Sequence, residues 1–213
     1  MLQVKQFVFN HFQTNCYLLW DDLSKASAVI DPCAETESES AKLDLFITQN
    51  SLNLSYILLT HAHIDHIVGI EHIADKYQVP VVTHADSRYM LDRANAYADL
   101  MGFAAPSFSH VRLQTVSGGD TIQLGNELVE CRYVPGHCVG SLCFVTFNPK
   151  LLFSGDALFH GSIGRTDLPG GDHDTLISKI HSELLTLDDS YMLLPGHGDC
   201  SSIDEEKSWN PFL

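Results

Sequence analysis

The sequence predicts a mixed α/β protein in which β-sheets form the interior and helices cover the outside. Apolar runs of strand length alternate with stretches of helical spacing before Pro106, and closely spaced β runs dominate after it. No low-complexity linker separates the two halves. A chain of 213 residues is long enough to bury one sizeable core. We therefore expect a single domain over residues 1–213, with the two halves sharing that core.

The first half is predicted to alternate strands with helices. The strands are apolar, β-branched runs that end at turn signals such as Asp31-Pro32. The helix at 64–78 is indicated by isoleucines that recur every three residues on one side. The predicted strands are 2–9, 15–20, 26–31, 55–59 and 79–84, and the predicted helices are 35–50, 64–78 and 86–100.

The second half is predicted to contain mainly short strands, followed by a helix, a strand and a final acidic helix. Gly118-Gly119, Gly125-Asn126 and Asn148-Pro149 are turn signals between these runs. The predicted strands are 110–116, 120–125, 127–134, 142–147, 151–154 and 191–195, and the predicted helices are 174–187 and 203–209.

Composition excludes several classes of partner. The formal net charge is −15 with only 12 Lys plus Arg, so the chain repels phosphate backbones and no nucleic-acid partner is expected. No apolar stretch approaches the roughly 18 residues of a membrane span, and the N-terminus lacks the pattern of a signal peptide. The six cysteines form no C-x-x-C pair and are interpreted as reduced thiols. These features predict a cytoplasmic protein without a membrane partner.

Four apolar, strand-like runs each end in a residue that can bind a metal ion. The runs lead into His61, His137, Asp156 and His197, and glycine or proline sets a tight turn before the last three. In α/β proteins, ligands bind in the crevice beyond the strand ends. These four side chains are therefore expected to converge.

The first of these positions opens the cluster T-H-A-H-I-D-H, which adds His63, Asp65 and His66. A lone H-x-H would be interpreted as a solvated loop, but three further strand-end residues make that interpretation unsatisfactory. Seven nitrogen and oxygen ligands are too many for one tetrahedral ion and suit two divalent ions. Imidazole and carboxylate ligands favour Zn, and Fe or Mn also fit. In an extended loop His61 and His63 point the same way, whereas Asp65 and His66 begin the following helix.

These motifs, with the later P-G-H, S-G-D and P-G-H segments, resemble the metallo-β-lactamase superfamily over essentially the whole chain. The resemblance implies a four-layer αββα sandwich of two mixed β-sheets flanked by helices, with a dinuclear site at one edge. It also implies that one ion is held by His61, His63 and His137, the other by Asp65, His66 and His197, and that Asp156 bridges them.

Within the superfamily, His66 directly after Asp65 argues against antibiotic hydrolysis, because true β-lactamases resemble H-x-H-x-D without that histidine. The segment 159–172, FHGSIGRTDLPGGD, resembles short bacterial glyoxalase II-like (hydroxyacylglutathione hydrolase-like) enzymes. Arg165 falls where larger members carry a basic glutathione-binding residue, although an ion pair with Asp167 or Asp172 is the competing interpretation. Only 16 residues follow His197, so the C-terminal glutathione-binding helical domain of larger members is not expected.

The function implied by this resemblance is hydrolysis of acyl-thioesters such as S-lactoylglutathione by a metal-bridging hydroxide. Asp65 is the candidate catalytic residue, because it can orient the water or accept its proton as well as bind metal. Two alternatives stay open: a persulfide dioxygenase with one iron, which shares T-H-x-H-x-D-H and G-R-T-D, and a metal-binding module without catalysis. A nuclease of the same superfamily is disfavoured by the charge of −15.

Overall fold

The computed structural model describes all 213 residues. The strands are β1 Leu2–Phe9, β2 Thr14–Asp21, β3 Ala26–Ile30, β4 Asn53–Leu58, β5 Val81–His84, β6 Leu113–Val116, β7 Thr121–Leu124, β8 Glu127–Tyr133, β9 Leu142–Phe147, β10 Lys150–Gly155, β11 Leu158–Phe159, β12 Ser162–Ile163, β13 Met192–Pro195 and β14 Ser201–Ser202. The helices are α1 Glu37–Gln49, α2 Ile64–Ile67, α3 Ile70–Tyr77, α4 Arg88–Leu91, α5 Ala94–Met101, α6 His173–Lys179 and α7 Ile203–Trp209, with a 3-10 turn at Ala85–Ser87 and a π-helical turn at Ile180–Leu184. None of these helices has the length and hydropathy needed to cross a lipid bilayer.

Twelve of the strands form two six-stranded mixed sheets, and β11 and β12 form a small hairpin. The first sheet has the order β1-β2-β3-β4-β5-β6, in which β3 to β6 run parallel. The second has the order β14-β13-β10-β9-β8-β7, in which only β10 and β13 are parallel. The carboxyl ends of parallel strands meet at one edge of a sheet, which gathers the residues that follow them.

Three apolar clusters produce four layers. Between the sheets, Leu58 of β4 and Phe153 of β10 belong to one buried cluster. Outside the first sheet, Leu43 of α1 lies in a second cluster, and outside the other sheet, Leu176 of α6 lies in a third. Each sheet is therefore buried on both faces, as expected for strands that read as nearly continuous apolar runs. The αββα sandwich predicted from the sequence is confirmed.

The predicted helix 64–78 is wrong in one respect, because it is divided at Gly69 into the single turn α2 and the longer α3. The Gly69 amide donates to the carbonyl oxygen of Pro32 (2.9 Å) rather than to that of Asp65. The Asp65 carbonyl accepts instead from the side-chain amide of Asn10 (2.9 Å). A Cβ at Gly69 would collide with the Pro32 carbonyl. Contacts with a distant segment thus replace the helical bond and cause the break.

Two other predicted helices are also divided or shortened. Residues 86–100 are shared among the 3-10 turn, α4 and α5, and 174–187 passes from α6 into the π-helical turn. The strand predicted at 110–116 is limited to β6. The remaining elements lie within a few residues of their predicted bounds.

The two sheets approach each other at the edge where β4, β10 and β13 end. The amide of Asn15 donates to the carbonyl of Gly196 (2.7 Å), and its side chain donates to that of Pro195 (2.9 Å). A Cβ at Gly196 would collide with the side chains of Asp156 and His66. Glycine is therefore needed here for the second sheet to approach the candidate ligands closely.

Candidate metal centre

His61, His63 and His137 form the first group of candidate ligands. His61 and His63 lie in the loop after β4, and His137 lies in the loop after β8. One ring nitrogen of each lies within 4.8 Å of the others. Nδ1 of His63 is 2.9 Å from Nε2 of His137. Three imidazole nitrogens that converge in this way are a suitable set of protein ligands for one divalent ion.

The second group consists of Asp65, His66 and His197, whose candidate ligand atoms also lie within 4.8 Å of one another. Oδ2 of Asp65 lies 3.1 Å from Nε2 of His197 and 3.4 Å from Nε2 of His66. The two Nε2 atoms are 3.2 Å apart. Asp65 and His66 come from α2, and His197 comes from the loop after β13. The grouping therefore matches the one that the family resemblance implies.

Asp156 lies between the two groups. Its Oδ2 is 3.7 Å from Nε2 of His137 in the first group and 3.5 Å from Nε2 of His197 in the second. Its Oδ1 is 3.4 Å from Nε2 of His66. One carboxylate thus faces both groups, and its bridging role stays a prediction.

Two buried polar atoms at this centre have no hydrogen-bond partner, namely Nε2 of His61 and Oδ1 of Asp156. An unpaired buried polar atom costs about 1–3 kcal/mol. Both atoms point into the cluster, where a divalent cation would satisfy them. Together with a donor set of imidazoles and carboxylates, these atoms fit divalent metal ions.

Hydrogen bonds on the far side of the rings favour free ring nitrogens at the centre. Thr60 Oγ1 donates to Asp31 Oδ2 (2.5 Å) and lies 3.0 Å from Nδ1 of His61, so it can only accept from that ring. Nδ1 of His66 is 2.9 Å from Asp31 Oδ2, and Nδ1 of His137 is 2.8 Å from the carbonyl of Arg165. With the proton on Nδ1 in the neutral rings, Nε2 of all three is left with a lone pair toward the centre.

The same burial affects the charges of these groups. Burial lowers the pKa of His61, and it lowers the pKa of His63 to about 4. Burial opposes ionisation of Asp156, but the nearby His66 outweighs it and lowers the pKa of this carboxyl to about 2. Burial disfavours the charged form of His66 as well, yet Asp65 and Asp156 raise its pKa. The carboxylates thus favour a positive charge at the centre.

Asp31 is the residue that the sequence interpretation missed. Besides Thr60 Oγ1 and His66, it accepts a hydrogen bond from the Thr60 amide (2.7 Å). Asp31 and Thr60 are both buried. The available signal was that Asp31 also ends an apolar strand, like the predicted ligands, but Asp31-Pro32 was interpreted only as a turn. Asp31 and His61 also form a third potential ligand group with His66.

Asp65 is held by the turn between β1 and β2 and by the first residue of β2. Thr14 Oγ1 donates to its Oδ2 (3.0 Å), and the Asn10 side chain donates to its backbone carbonyl. His66 and His197 outweigh the opposing effect of burial and hold the pKa of Asp65 well below its ordinary value. The carboxylate is therefore ionised and fixed in orientation, which suits it to bind a cation, and its catalytic role stays a prediction.

Arg165 lies at the rim of the centre rather than within it. Its guanidinium donates two hydrogen bonds to Asp167, of 2.7 and 2.8 Å. The competing Asp172 instead caps α6 by accepting from the Thr175 amide. The ion-pair interpretation is thus the one realised with Asp167, while the predicted substrate contact stays a prediction.

A cavity of about 420 Å³ opens onto the candidate ligands. Its lining includes five of the candidate ligands and apolar side chains of α5 and of the β1–β2 turn; the five ligands are His63, Asp65, His137, Asp156 and His197. The structure thus brings all seven predicted ligands together and places Arg165 at the opening of the cavity.

Comparisons with known proteins agree with this geometry. The model of the metallo-beta-lactamase superfamily matches residues 10–197. Hydroxyacylglutathione hydrolase GloC of Haemophilus influenzae is 36% identical over 203 residues, which cover 95% of this chain and 93% of GloC. The solved structure of BLEG-1 B3 metallo-beta-lactamase is 34% identical, with 99% of each chain covered and a TM-score of 0.88. That of TTHA1623 in a di-iron-bound form is 30% identical, with 98% and 100% covered and a TM-score of 0.85.

This fold and these His/Asp groups together imply divalent metal ions. The family match spans most of the chain, and the motifs that carried the resemblance are the residues at the centre. The chain belongs to the metallo-β-lactamase superfamily.

Proposed function

We propose that this protein is a dinuclear metal-dependent hydrolase that cleaves acyl-thioesters, with S-lactoylglutathione as the reference substrate. The observation that carries the proposal is the position of Asp156, which faces both ligand groups and has a buried, unpaired oxygen. The thioester class is supported by the relative from Haemophilus influenzae, which is named a hydroxyacylglutathione hydrolase.

The proposed ligands are His61, His63 and His137 for one ion, Asp65, His66 and His197 for the other, and Asp156 for both. Two bound dications would lower the pKa of a water molecule from ~15.7 toward ~7 and polarise the substrate carbonyl. Zinc is our preferred metal because the ligands are nitrogen and oxygen atoms, and the relative solved in a di-iron-bound form keeps iron as an alternative.

The chain's own residues contribute orientation and proton transfer. In this proposal Asp65, which accepts a hydrogen bond from Thr14, orients the attacking water and takes its proton. A carbon–oxygen bond then forms at the thioester carbonyl, the carbon–sulfur bond breaks, and the departing thiolate takes up a proton. The products are a carboxylic acid and a free thiol, and no serine or cysteine nucleophile is needed.

The test measures metal content and activity on the same preparation. We expect two ions per chain and release of free thiol from S-lactoylglutathione. The Asp156→Asn variant should lose the full metal content and the release of thiol. The Asp22→Asn variant, at an exposed carboxylate paired with Lys25, should keep the metal content and the activity. Fully loaded protein that hydrolyses no thioester would contradict the proposal.

The same preparation separates the competing functions. One iron per chain with oxygen uptake on glutathione persulfide would indicate a dioxygenase. Binding of metal without any turnover would indicate a metal-binding module. The similarity to a B3 metallo-beta-lactamase at 34% identity makes a chromogenic cephalosporin a necessary third substrate. Faster cleavage of that β-lactam than of every thioester would replace the proposed substrate class.

A further inference from the structure

An apolar wall lines the same cavity as the candidate ligands, and part of this wall is exposed to solvent. Tyr97, Leu100 and Met101 of α5 line it together with Phe12 of the β1–β2 turn. Leu100 is 73% exposed and Phe12 is 43% exposed. Large apolar side chains that stay exposed around a cavity are typical of a surface that binds a ligand.

This wall is held in place before any ligand binds. The ring of Phe12 stacks on that of Phe103, directly after α5, with centroids 5.4 Å apart. His11 packs against both rings, and its side chain lies 3.1 Å from Glu35 and 3.2 Å from the carbonyl of Met101. The turn and the helix therefore form one surface, and little ordering is needed on binding.

The cavity offers little to a negatively charged substituent. Arg165 is the only lysine or arginine that lines it, and both hydrogen bonds of its guanidinium described above go to Asp167. The chain as a whole has a net charge of −15. A glutathionyl group brings carboxylates, and the guanidinium in this lining is already paired with one carboxylate, that of Asp167.

We propose that the non-reacting part of the substrate is apolar and uncharged and lies against Leu100 and Phe12. This inference rests on the proposed thioester hydrolysis and names its substrate class: thioesters with an apolar chain on the acyl or the thiol side. His63 and His197 line the same cavity as Leu100 and Phe12, so a substrate whose carbonyl lies at the metal centre can contact this wall with its substituent. Leu100 is then a specificity-determining residue.

The first experiment compares kcat/KM for four thioesters at equal metal content. Acetyl and octanoyl esters of N-acetylcysteamine vary the acyl side, the acetyl ester of octanethiol varies the thiol side, and S-lactoylglutathione is the anionic reference. We expect at least one octyl-chain substrate to exceed both the acetyl ester of N-acetylcysteamine and S-lactoylglutathione by about tenfold or more. If S-lactoylglutathione is hydrolysed faster than both octyl-chain substrates, the inference is wrong and the proposed hydrolysis stands.

The second experiment tests the wall itself. Leu100→Gln should lower the ratio of octyl-chain to acetyl kcat/KM at least fivefold, whereas Leu45→Gln, at a 57% exposed leucine of α1 outside the cavity, should leave it unchanged. An unchanged ratio in Leu100→Gln would overturn the inference.

A binding measurement separates this inference from the proposed function. A non-hydrolysable S-octyl thioether of N-acetylcysteamine is titrated calorimetrically into the metal-loaded protein. We expect binding that Leu100→Gln weakens at least fivefold and Leu45→Gln does not. If no thioester is hydrolysed but this pattern holds, the hydrolase proposal fails and the apolar site remains. Absence of binding to the unmodified chain would overturn the inference.

Discussion

The floor and the rim of the cavity are built in opposite ways. The floor is the metal centre beneath the cavity. Asp31, Thr60 and His61, which follow β3 and β4, and His66 of α2 are buried there and hydrogen-bonded to one another, and Asp156 follows β10. The rim consists of Phe12, Leu100 and Arg165, which lie on a turn, a helix and a loop and are largely exposed. In the proposed enzyme, rigid strand ends fix the atoms that do chemistry, and exposed segments select the substrate.

The floor and the rim also differ in what they contribute to the stability of the fold. The floor gathers imidazoles and carboxylates away from water and leaves two buried atoms unpaired, which reduces the stability of the metal-free fold. The rim is solvated, and its substitutions disturb little packing. Changes in the floor should therefore alter metal content and unfolding, while changes in the rim should alter only substrate preference.

The largest expected effect comes from Asp156→Asn. The amide keeps the size of the side chain but removes the negative charge that faces both ligand groups. We expect fewer than two ions per chain and a loss of hydrolysis of roughly 100- to 1000-fold. Metal analysis and thiol release on the same sample measure both. Full metal content with full activity would remove Asp156 from the proposed ligand set.

Asp31→Ala tests the hydrogen-bonded part of the floor. It leaves the Thr60 amide, the Thr60 hydroxyl and Nδ1 of His66 without their buried acceptor. We expect the free energy of unfolding to fall by about 3 kcal/mol and metal affinity to fall about 10- to 100-fold. Urea unfolding of metal-free protein and a metal titration give the two values. Asp92→Ala, which removes an exposed partner of Arg88, is the matched control and should change neither.

Removal of the metal should affect the floor and spare the rim. At free metal about 100 times its Kd, chelation is expected to lower the free energy of unfolding by about 2.7 kcal/mol for each of the two proposed ions, because metal binds only the folded chain. Titration of the S-octyl thioether should give the same affinity with and without chelator within about twofold. If chelation also abolishes thioether binding, floor and rim are coupled and the contrast does not hold.

The sequence predicted the floor of the cavity better than its rim. All seven proposed ligands were identifiable, because four are metal-capable residues at the ends of apolar runs and the other three belong to the T-H-A-H-I-D-H cluster that one of these ends opens. Asp31 was missed because an Asp-Pro pair at a strand end is equally typical of a turn. Phe12 and Leu100 were missed because an exposed apolar side chain is ordinary, and only the fold puts the turn beside α5. The break at Gly69 depends on a hydrogen bond to Pro32, which spacing within 64–78 does not contain.

The smallest expected effect comes from a substitution of Arg165, which tests whether this rim residue contributes to stability or to substrate binding. Arg165→Gln should leave the unfolding temperature unchanged, because its pair with Asp167 is exposed. The KM for S-lactoylglutathione should rise less than threefold, because the guanidinium already has a carboxylate partner. Arg88→Gln, which removes an exposed arginine paired with Asp92, is the control.

Asp167→Asn is the converse experiment, since it releases Arg165 without removing it. It should raise kcat/KM for S-lactoylglutathione about two- to fivefold, while leaving the acetyl ester of N-acetylcysteamine unchanged, because only the first substrate carries carboxylates for the freed guanidinium. A tenfold rise in KM for S-lactoylglutathione in Arg165→Gln, without change for the neutral ester, would show that Arg165 already binds the substrate. The rim would then be a site for anionic thiols, and the apolar wall would have to be reassigned to the acyl side alone.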